Sequence, residues 1–170
     1  MTPLVERALL REGLLDVLEA RRTGADLRPF ERRLRDADLL ALGALADAIR
    51  RDEVGPEVRV HLGASPKHAI AARGLDVLRE AAIARVLGEK GASVCVDFGA
   101  TGLEIAQVAL GFGANELAGP IANRRGLPIA EDAQKKVKGK GMVALKALQQ
   151  EEILTIIRRA KREPVMEVAR

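Results

Sequence analysis

The stretch FGATGLEIAQVALGFGANELAG, residues 98–119, decides the fold of this chain. It holds a helical pattern between glycine-containing turns, with a short apolar run on each side. Thr101 and Glu104 have the T-x-x-E spacing of a capping box at a helix start, and Gly111 and Gly113 suit the helix end. The preceding run ASVCVDFG and the closing run ANELAG are apolar enough for buried strands. The stretch therefore predicts a strand, a helix and a strand in succession.

Outward from this stretch, the first 55 residues are predicted to be helical. Leucines at helical spacing from the N-terminus predict one helix of about five turns, and a second broad apolar face closes at Gly55. The run EVRVHL, with alternating valines bounded by glycines and a proline, predicts the first strand. Ser65 and Pro66 are typical of a helix N-cap and first turn, so a long helix is predicted from there to Gly88 or Gly91.

The order of these elements predicts the architecture. Strands that alternate with helices pair in parallel through right-handed crossovers. We therefore expect an α/β protein, with N-terminal helices followed by a small, mostly parallel open sheet that is partial-barrel-like and has covering helices. A single domain is expected over residues 1–170. Its parts are a helical lead-in at 1–55, a β-α-β-α-β core at 56–119, a basic loop at 120–144, and a terminal helix and tail at 145–170.

Composition narrows the class of protein. Apolar residues make up 48% of the chain, but there are three Phe and no Tyr or Trp, so the stacking platforms of single-stranded nucleic-acid binders are absent and nucleic-acid binding is disfavoured. A single cysteine allows no intramolecular disulfide and suits a reducing compartment. No signal-peptide pattern and no run of about 18 apolar residues occurs. We expect a cytoplasmic protein without a membrane partner.

The glycine turn DFGATG joins a predicted strand to a helix N-terminus, where backbone amides can receive a phosphate. It lacks the G-x-G-x-x-G spacing of dinucleotide sites and the spacing of a P-loop. The predicted capping box would also occupy two of the amide donors, and Glu104 would place a negative charge beside them. Turn and cap chemistry is therefore the favoured interpretation. Anion binding through Gly99, Thr101 and Gly102 stays open as the alternative.

Polar residues near the predicted carboxyl ends of the strands form a second candidate site, because open α/β sheets bind ligands there. His61, Asp97 and Asn115 are the residues concerned, and His68 follows seven residues after the first histidine in HLGASPKH. No metal-binding spacing supports a metal site, so none is predicted, and a packed or solvated histidine pair is favoured. No nucleophile motif is present and Cys95 lies in an apolar run, so no catalytic residue is predicted.

Net charge is +4, and much of the excess falls in the last third of the chain. The run QKKVKGKGMVALK contains five lysines within twelve residues. Such a cluster can bind phosphate groups, nucleic acid or an acidic protein surface, although a solvated loop is the favoured interpretation. The residues of this predicted basic loop are Lys135, Lys136, Lys138 and Lys140, followed by Lys146.

Three segments resemble one known family, the radical S-adenosylmethionine enzymes of the futalosine route to menaquinone and their deazaflavin-forming relatives. The segment 38–50 is similar to the D-L-x-x-L-G-x-L-A-D-x-x-R lead-in to the first barrel strand; its matching residues are Asp38, Leu39, Leu42, Gly43, Leu45, Ala46, Asp47 and Arg50. The segment 106–119 resembles the last barrel unit; its matching residues are Ala106, Gln107, Ala109, Leu110, Phe112, Gly113, Ala114, Asn115, Leu117 and Gly119, with Glu116 where Asp is usual. The segment LQQEEILTIIRRAKREPV resembles the terminal helix and closing strand.

The chain departs from this family at the catalytic element. The resemblance implies three cysteines in C-x-x-x-C-x-x-C after the first strand, and GASPKHAIAARG stands there instead. An iron–sulfur cluster needs thiolate ligands, and one cysteine cannot supply them. Reductive cleavage of S-adenosylmethionine is therefore excluded for the chain alone, and no cofactor is expected. Residues 56–170 are also too few for a closed barrel, since a strand–helix unit takes about 30 residues.

These observations predict a non-catalytic, truncated relative that acts as a binding or scaffolding module, with a link to menaquinone biosynthesis as a further hypothesis. Unpaired edges of an open sheet need cover, so a homo-oligomer or a protein partner is expected. The alternative is a small-ligand or nucleotide-binding α/β protein, or an enzyme, that uses the carboxyl ends of the strands. Its candidate residues are His61, Asp97, Gly99, Thr101, Gly102 and Asn115.

Overall fold

A computed structural model of the protein describes residues 3–63, 66–122, 129–130 and 132–167. It confirms the α/β prediction: helices pack on a four-stranded sheet whose strands are all parallel, and the sheet does not close into a barrel. A separate pair of antiparallel strands lies outside this sheet. None of the helices within the described ranges has the length and apolar character needed to cross a lipid bilayer.

The N-terminal region is helical as predicted, but its first helix is interrupted. Helix α1 (Pro3–Arg11) and helix α2 (Leu15–Thr23) are separate, because Gly13 takes a left-handed conformation with φ +63°. The prediction of a single five-turn helix is therefore wrong. A 3₁₀ turn (Arg28–Phe30) and α3 (Glu31–Asp36) follow, and α4 spans Leu39–Glu53.

Helix α4 begins where the sequence provides a cap. The Asp38 carboxylate accepts hydrogen bonds from the amides of Leu40 at 3.1 Å and Ala41 at 3.0 Å, which satisfies two donors of the first turn. The chain then turns at Gly55, with φ +83°, into strand β1 (Glu57–Leu62). Val58 and Val60 of β1 are buried while Glu57 and Arg59 beside them are exposed, which confirms the predicted alternation.

The helix predicted after β1 begins ten residues later than expected. Ser65 lies outside the described residues, and Pro66 is not helical; helix α5 spans Asp76–Leu87 and ends at Gly88 as predicted. The reason is a pairing with strand residues that are distant in the sequence. The Ile70 amide donates to Cys95 O at 2.8 Å, and Ile70 O accepts from the Asp97 amide at 2.9 Å, so this segment is held extended.

The remaining elements confirm the predicted alternation of strand and helix. Strand β2 (Cys95–Asp97) leads into a short helix α6 (Phe98–Thr101), then α7 (Leu103–Ala109) and a 3₁₀ turn. Strand β3 spans Glu116–Gly119. Helix α8 (Leu145–Arg159) and strand β6 (Glu163–Glu167) close the described chain, so the predicted extended tail is a full strand of the sheet.

The parallel sheet has the strand order β2-β3-β1-β6. Val60 of β1 is in register with Leu117 of β3 and Met166 of β6, and Leu117 is in register with Val96 of β2. These side chains point to one face, where they join a single hydrophobic core with residues of the helices. Ile153 and Ile157 extend that core along α8.

Both edges of the sheet are protected, although by different means. At one edge, the amide of Glu163 donates to Pro56 O at 3.1 Å, so the backbone nitrogen of Glu163 faces into the sheet. Backbone groups alternate in direction along a strand, so the nitrogen of the next residue, Pro164, faces the open side of β6. Proline has no amide to offer another strand, and such residues discourage edge-to-edge pairing. At the other edge, Ile70 pairs with Val96 of β2. The open edges are therefore poor templates for adding a strand, and they no longer support the expectation of a homo-oligomer or protein partner.

The segment predicted as a basic loop contains regular structure. Strand β4 (Gln134–Val137) and strand β5 (Gly141–Ala144) form an antiparallel hairpin, so the prediction of a loop throughout 120–144 is wrong in its second half. The Lys140 amide donates to Val137 O at 3.0 Å, and Gly139 and Gly141 have positive φ values. These contacts make the tight turn, and the glycines allow it.

Candidate functional site

The candidate site lies on the face of the sheet opposite the core, here called the polar face. One row of register neighbours consists of Cys95, Glu116, Arg59 and Val165. The next row toward the carboxyl ends consists of Asp97, Ala118, His61 and Glu167. Since strand side chains alternate between faces, both rows point away from the helices. The fold therefore collects most of the chemistry-bearing side chains of the strands on one surface.

His61 lies at the centre of this polar face. Its Nε2 contacts the Oε1 atom of Glu116, and its Nδ1 lies 3.3 Å from Oε2 of Glu167. The other carboxylate oxygen of Glu167 is 3.9 Å from the Arg59 guanidinium. Glu116 is 4% exposed and Glu167 about half exposed, so the imidazole lies between one buried carboxylate and one carboxylate in contact with solvent.

The neighbouring hydroxyl does not complete a nucleophile pair. Ser93 Oγ donates to the Oε2 atom of Glu116, and Glu116 in turn contacts His61. The carboxylate thus lies between the serine and the imidazole, whereas an activated serine needs the imidazole as its direct partner. Both ring nitrogens of His61 thus face a carboxylate, Nε2 that of Glu116 and Nδ1 that of Glu167. Glu116 was missed by sequence reasoning, although a carboxylate inside the apolar run ANELAG was a usable signal.

Asp97 and the glycine turn after it form a helix cap. The Asp97 Oδ1 atom accepts from the amides of Gly99 at 2.8 Å and Ala100 at 3.1 Å, and Thr101 Oγ1 donates to Asp97 O at 2.8 Å. The cap residue of α6 is therefore Asp97. The predicted capping box of Thr101 and Glu104 is wrong, because Thr101 ends α6 and α7 starts from Gly102 without a side-chain cap.

The glycines of this turn have structural reasons to be there. A Cβ at Gly99 would lie 2.6 Å from Cδ of Pro120 and 3.0 Å from Oδ1 of Asp97. Gly102 has φ +86° and ψ 149°, a region that other residues avoid. The amides of Gly99 and Ala100 already have an acceptor in Asp97, so the turn has cap chemistry as favoured, but not through the predicted residues Thr101 and Glu104. Anion binding at Gly99, Thr101 and Gly102 stays a prediction.

The six predicted ligand residues do not all lie together. His61 and Asp97 share a row of the polar face with Ala118 between them, so their strands are about 10 Å apart. The turn after Asp97 lies at the same edge. Asn115, however, precedes β3 and lies at the amino ends of the strands, so its predicted place at the carboxyl ends is wrong.

Asn115 belongs to a buried polar network around Arg85. Its Oδ1 atom accepts from the Val94 amide at 2.8 Å and from Nη2 of Arg85 at 2.6 Å. Arg85 also donates to Gly113 O at 3.0 Å and to Ala92 O at 2.6 Å, and only 1% of it is exposed. Burial lowers the pKa of Arg85 to about 10. This network joins α5 to the start of β3. The side-chain oxygen of Asn115 is therefore used for structure.

The thiol of Cys95 is inaccessible. The residue is 2% exposed, and burial, followed by the charges of Glu116 and Asp97, raises the pKa of Cys95 to about 12. A thiol with this pKa stays protonated at neutral pH and is a poor nucleophile and metal ligand. His68 is exposed and away from the polar face row of His61. Within the described ranges, no group of three His, Cys, Asp or Glu side chains is arranged to hold a metal ion.

The predicted lysine cluster lies on the hairpin. Lys135 and Lys136 are on β4, and Lys138 and Lys140 are in the turn; all four are exposed. Lys136 is opposite Met142 of β5, whose side chain is 62% exposed. The base of the hairpin is closed by the Leu145 amide, which donates to Ala133 O at 2.8 Å. The lysines therefore lie on an ordered projection and not in a loop.

Comparisons with protein-family models, curated proteins and solved structures found no match. The resemblance to the futalosine radical S-adenosylmethionine enzymes therefore rests on the sequence segments quoted above and stays a prediction.

Proposed function

We propose that the protein is a non-catalytic, truncated relative of the futalosine radical S-adenosylmethionine enzymes that acts as a binding or scaffolding module. One observation carries the proposal: the three segments that resemble the family pack directly on one another. A Cβ at Gly43 of the first segment would lie 2.6 Å from the ring of Phe112 in the second. Asp47 of the first segment binds Arg162 of the third at 2.7 Å. Such contacts are expected if the segments are retained as one scaffold.

The environment of the sole thiol supports the non-catalytic part of this proposal. Cys95 is buried on β2, with a pKa raised to about 12, whereas the family's cluster ligands follow the first strand. Anaerobic reconstitution with iron and sulfide tests it. We expect no absorbance band near 400 nm beyond that of a Cys95→Ala control. A band that the control lacks, with bound iron, would contradict the proposal.

The binding role is tested with a probe from the same pathway. Gel filtration with light scattering would be run on the full chain alone and mixed with a complete aminofutalosine synthase. We expect either a dimer or larger homo-oligomer, or a complex with the enzyme. A monomer that fails to bind the enzyme at micromolar concentrations would overturn the scaffolding role. If the chain only self-associates and does not bind the enzyme, the scaffolding role would stand but the link to menaquinone biosynthesis would be contradicted.

A second candidate function, binding of a small ligand or nucleotide, is favoured by His61. Its imidazole lies between two carboxylates near the carboxyl ends of the strands and is 23% exposed on its side chain. A thermal-shift panel of nucleotides, futalosine-type compounds and divalent metals would test this function. The expected result is a rise in the melting temperature with one of these ligands. His61→Gln should remove this rise, and Lys67→Gln should leave it unchanged. No shift across the panel would argue against the second candidate.

A further inference from the structure

The hairpin of residues 134–144 concentrates exposed positive charge, with four lysines between residues 135 and 140. Its four lysines are exposed, and no ion-pair partner for Lys135, Lys136, Lys138 or Lys140 occurs among the residues described. By contrast, many arginines of the helical region bind a carboxylate, as Arg22 binds Asp52 at 2.9 Å. The hairpin thus presents four positive charges, none of which forms an ion pair with a carboxylate of the described residues.

The shape of the hairpin concentrates these charges around an apolar side chain. Lys136 and Met142 are cross-strand neighbours on the same side of the two strands. Met142 is 62% exposed. Lys138 and Lys140 flank Gly139 in the turn, so two further exposed lysines lie at the tip of the hairpin. Lys135 points to the opposite side, beside half-buried Val143.

The combination of unpaired lysines and an exposed methionine matches one kind of surface. An anionic bilayer attracts clustered lysines through its surface potential, and its head-group region accepts a small apolar side chain between them. Lysine stems are long enough to keep the ammonium groups at the phosphates while the apolar group enters. We propose that the hairpin binds an anionic phospholipid surface, in departure from the expectation of no membrane partner, with Met142 inserted and Lys136, Lys138 and Lys140 supplying the charge at the head groups.

Other anionic partners account for fewer of these features. Specific recognition of bases uses bidentate groups such as arginine or asparagine, and the hairpin offers point charges only. Single-stranded nucleic acid is bound by aromatic stacking, and the chain has no Tyr or Trp. Lysine is depleted in the cores of protein interfaces. Methionine is enriched in protein interfaces whereas lysine is depleted there, so an acidic protein accounts for Met142 but less well for the lysines, and nucleic acid accounts for the lysines but not for Met142.

The test is flotation of the full chain with vesicles of phosphatidylglycerol and phosphatidylcholine, against vesicles of phosphatidylcholine alone, at millimolar lipid and low salt. We expect binding to the anionic vesicles only, and loss of binding at high salt. The double variant Lys136→Gln/Lys138→Gln should lower the partition coefficient by about 25-fold, since each lysine near such a surface contributes about fivefold.

Matched variants make the result specific. Lys67→Gln/Lys90→Gln removes the same charge from exposed sites elsewhere and should lower binding less than about threefold. Met142→Ser should lower it by about fivefold, and Met142→Leu should preserve it. Equal losses in the two lysine doubles, no effect of Met142→Ser, or tighter binding to a DNA duplex than to the vesicles would each overturn the proposal. Circular dichroism of each variant checks that it is folded. The outcome is independent of the proposed scaffolding function.

Discussion

The buried arginines and the hairpin lysines show two opposite uses of positive charge in one chain. Arg50 and Arg85 are each 1% exposed, and their guanidinium groups donate to carbonyls and to polar side chains. The hairpin lysines are exposed and have no ion pair within the described part of the chain. A guanidinium has five donors in a rigid fork and can link several buried acceptors, whereas an ammonium is a strongly hydrated point charge. The arginines therefore hold the fold together, and the lysines are available to a partner.

The largest effect is expected from removing the Arg85 fork. Arg85→Met would leave the carbonyls of Ala92 and Gly113 without this donor, and the amide oxygen of Asn115 with the Val94 amide alone. We expect the free energy of unfolding to fall by about 3–5 kcal/mol, measured by urea denaturation. The same substitution on the hairpin, Lys136→Met, is expected to change it by less than about 0.5 kcal/mol. Equal effects would remove the distinction between the two regions.

Two glycines with positive φ sharpen the comparison. Gly113 has φ +91°, and a Cβ there would lie 2.7 Å from Cβ of Arg85 and 3.1 Å from that of Ala46. Gly139, in the hairpin turn, has φ +81° with nothing within 4 Å. Gly113→Ala should therefore cost about 2–4 kcal/mol, from backbone strain and from overpacking. Gly139→Ala should cost about 1 kcal/mol, from the backbone alone. Thermal denaturation of both variants would measure the difference, and a reversed order would contradict it.

Acid should weaken the buried region through Glu53. Burial alone would raise the pKa of Glu53, but hydrogen bonds from Arg21 and the Gly91 amide outweigh it and hold this pKa below its ordinary 4.5. A carboxyl group with a lowered folded pKa stabilises the protein above the unfolded pKa, and this contribution is lost as pH falls through the folded value. Glu53→Gln should cost about 1–3 kcal/mol at pH 7, and less at pH 3.

The control for this pH effect is an exposed pair in the same helices. Asp52 and Arg22 are each about half exposed, so Asp52→Asn is expected to cost less than about 1 kcal/mol at pH 7. Urea denaturation at the two pH values would compare the variants. A cost of Glu53→Gln that is the same at both pH values would show that the carboxylate charge is not what stabilises this site.

Periodicity was enough to predict most of the fold. The alternation in EVRVHL and the apolar runs around Cys95 and Leu117 predicted strands that the structure contains. The errors arose where contacts distant in sequence decide the local conformation. Pro66 suits a helix start, but pairing of Ile70 with Val96 keeps that segment extended. Thr101 suits a cap, but it is the last residue of α6, which Asp97 caps, and α7 begins after Gly102 without a side-chain cap.

The site was less predictable because register decides which side chains meet. His61 was identified from its place on β1, but its contact with Glu116 depends on the pairing of β1 with β3. Arg85 carried a signal that was not used: it lies at helical spacing behind Ala81 and Ala82, on the apolar face of α5. A charged residue on such a face predicts a buried network, and Asn115 is then its natural acceptor.

The smallest effect on stability is expected where the charge is most dense. Changing all four hairpin lysines to glutamine removes no ion pair to a described residue and no buried contact, so the free energy of unfolding should change by less than about 0.5 kcal/mol. Relief of repulsion among the ammonium groups would favour the variant slightly, and more at low than at high salt. Urea denaturation at two salt concentrations would measure this. A loss of more than about 1 kcal/mol would mean that the lysines stabilise the hairpin itself, and their availability to a partner would no longer follow.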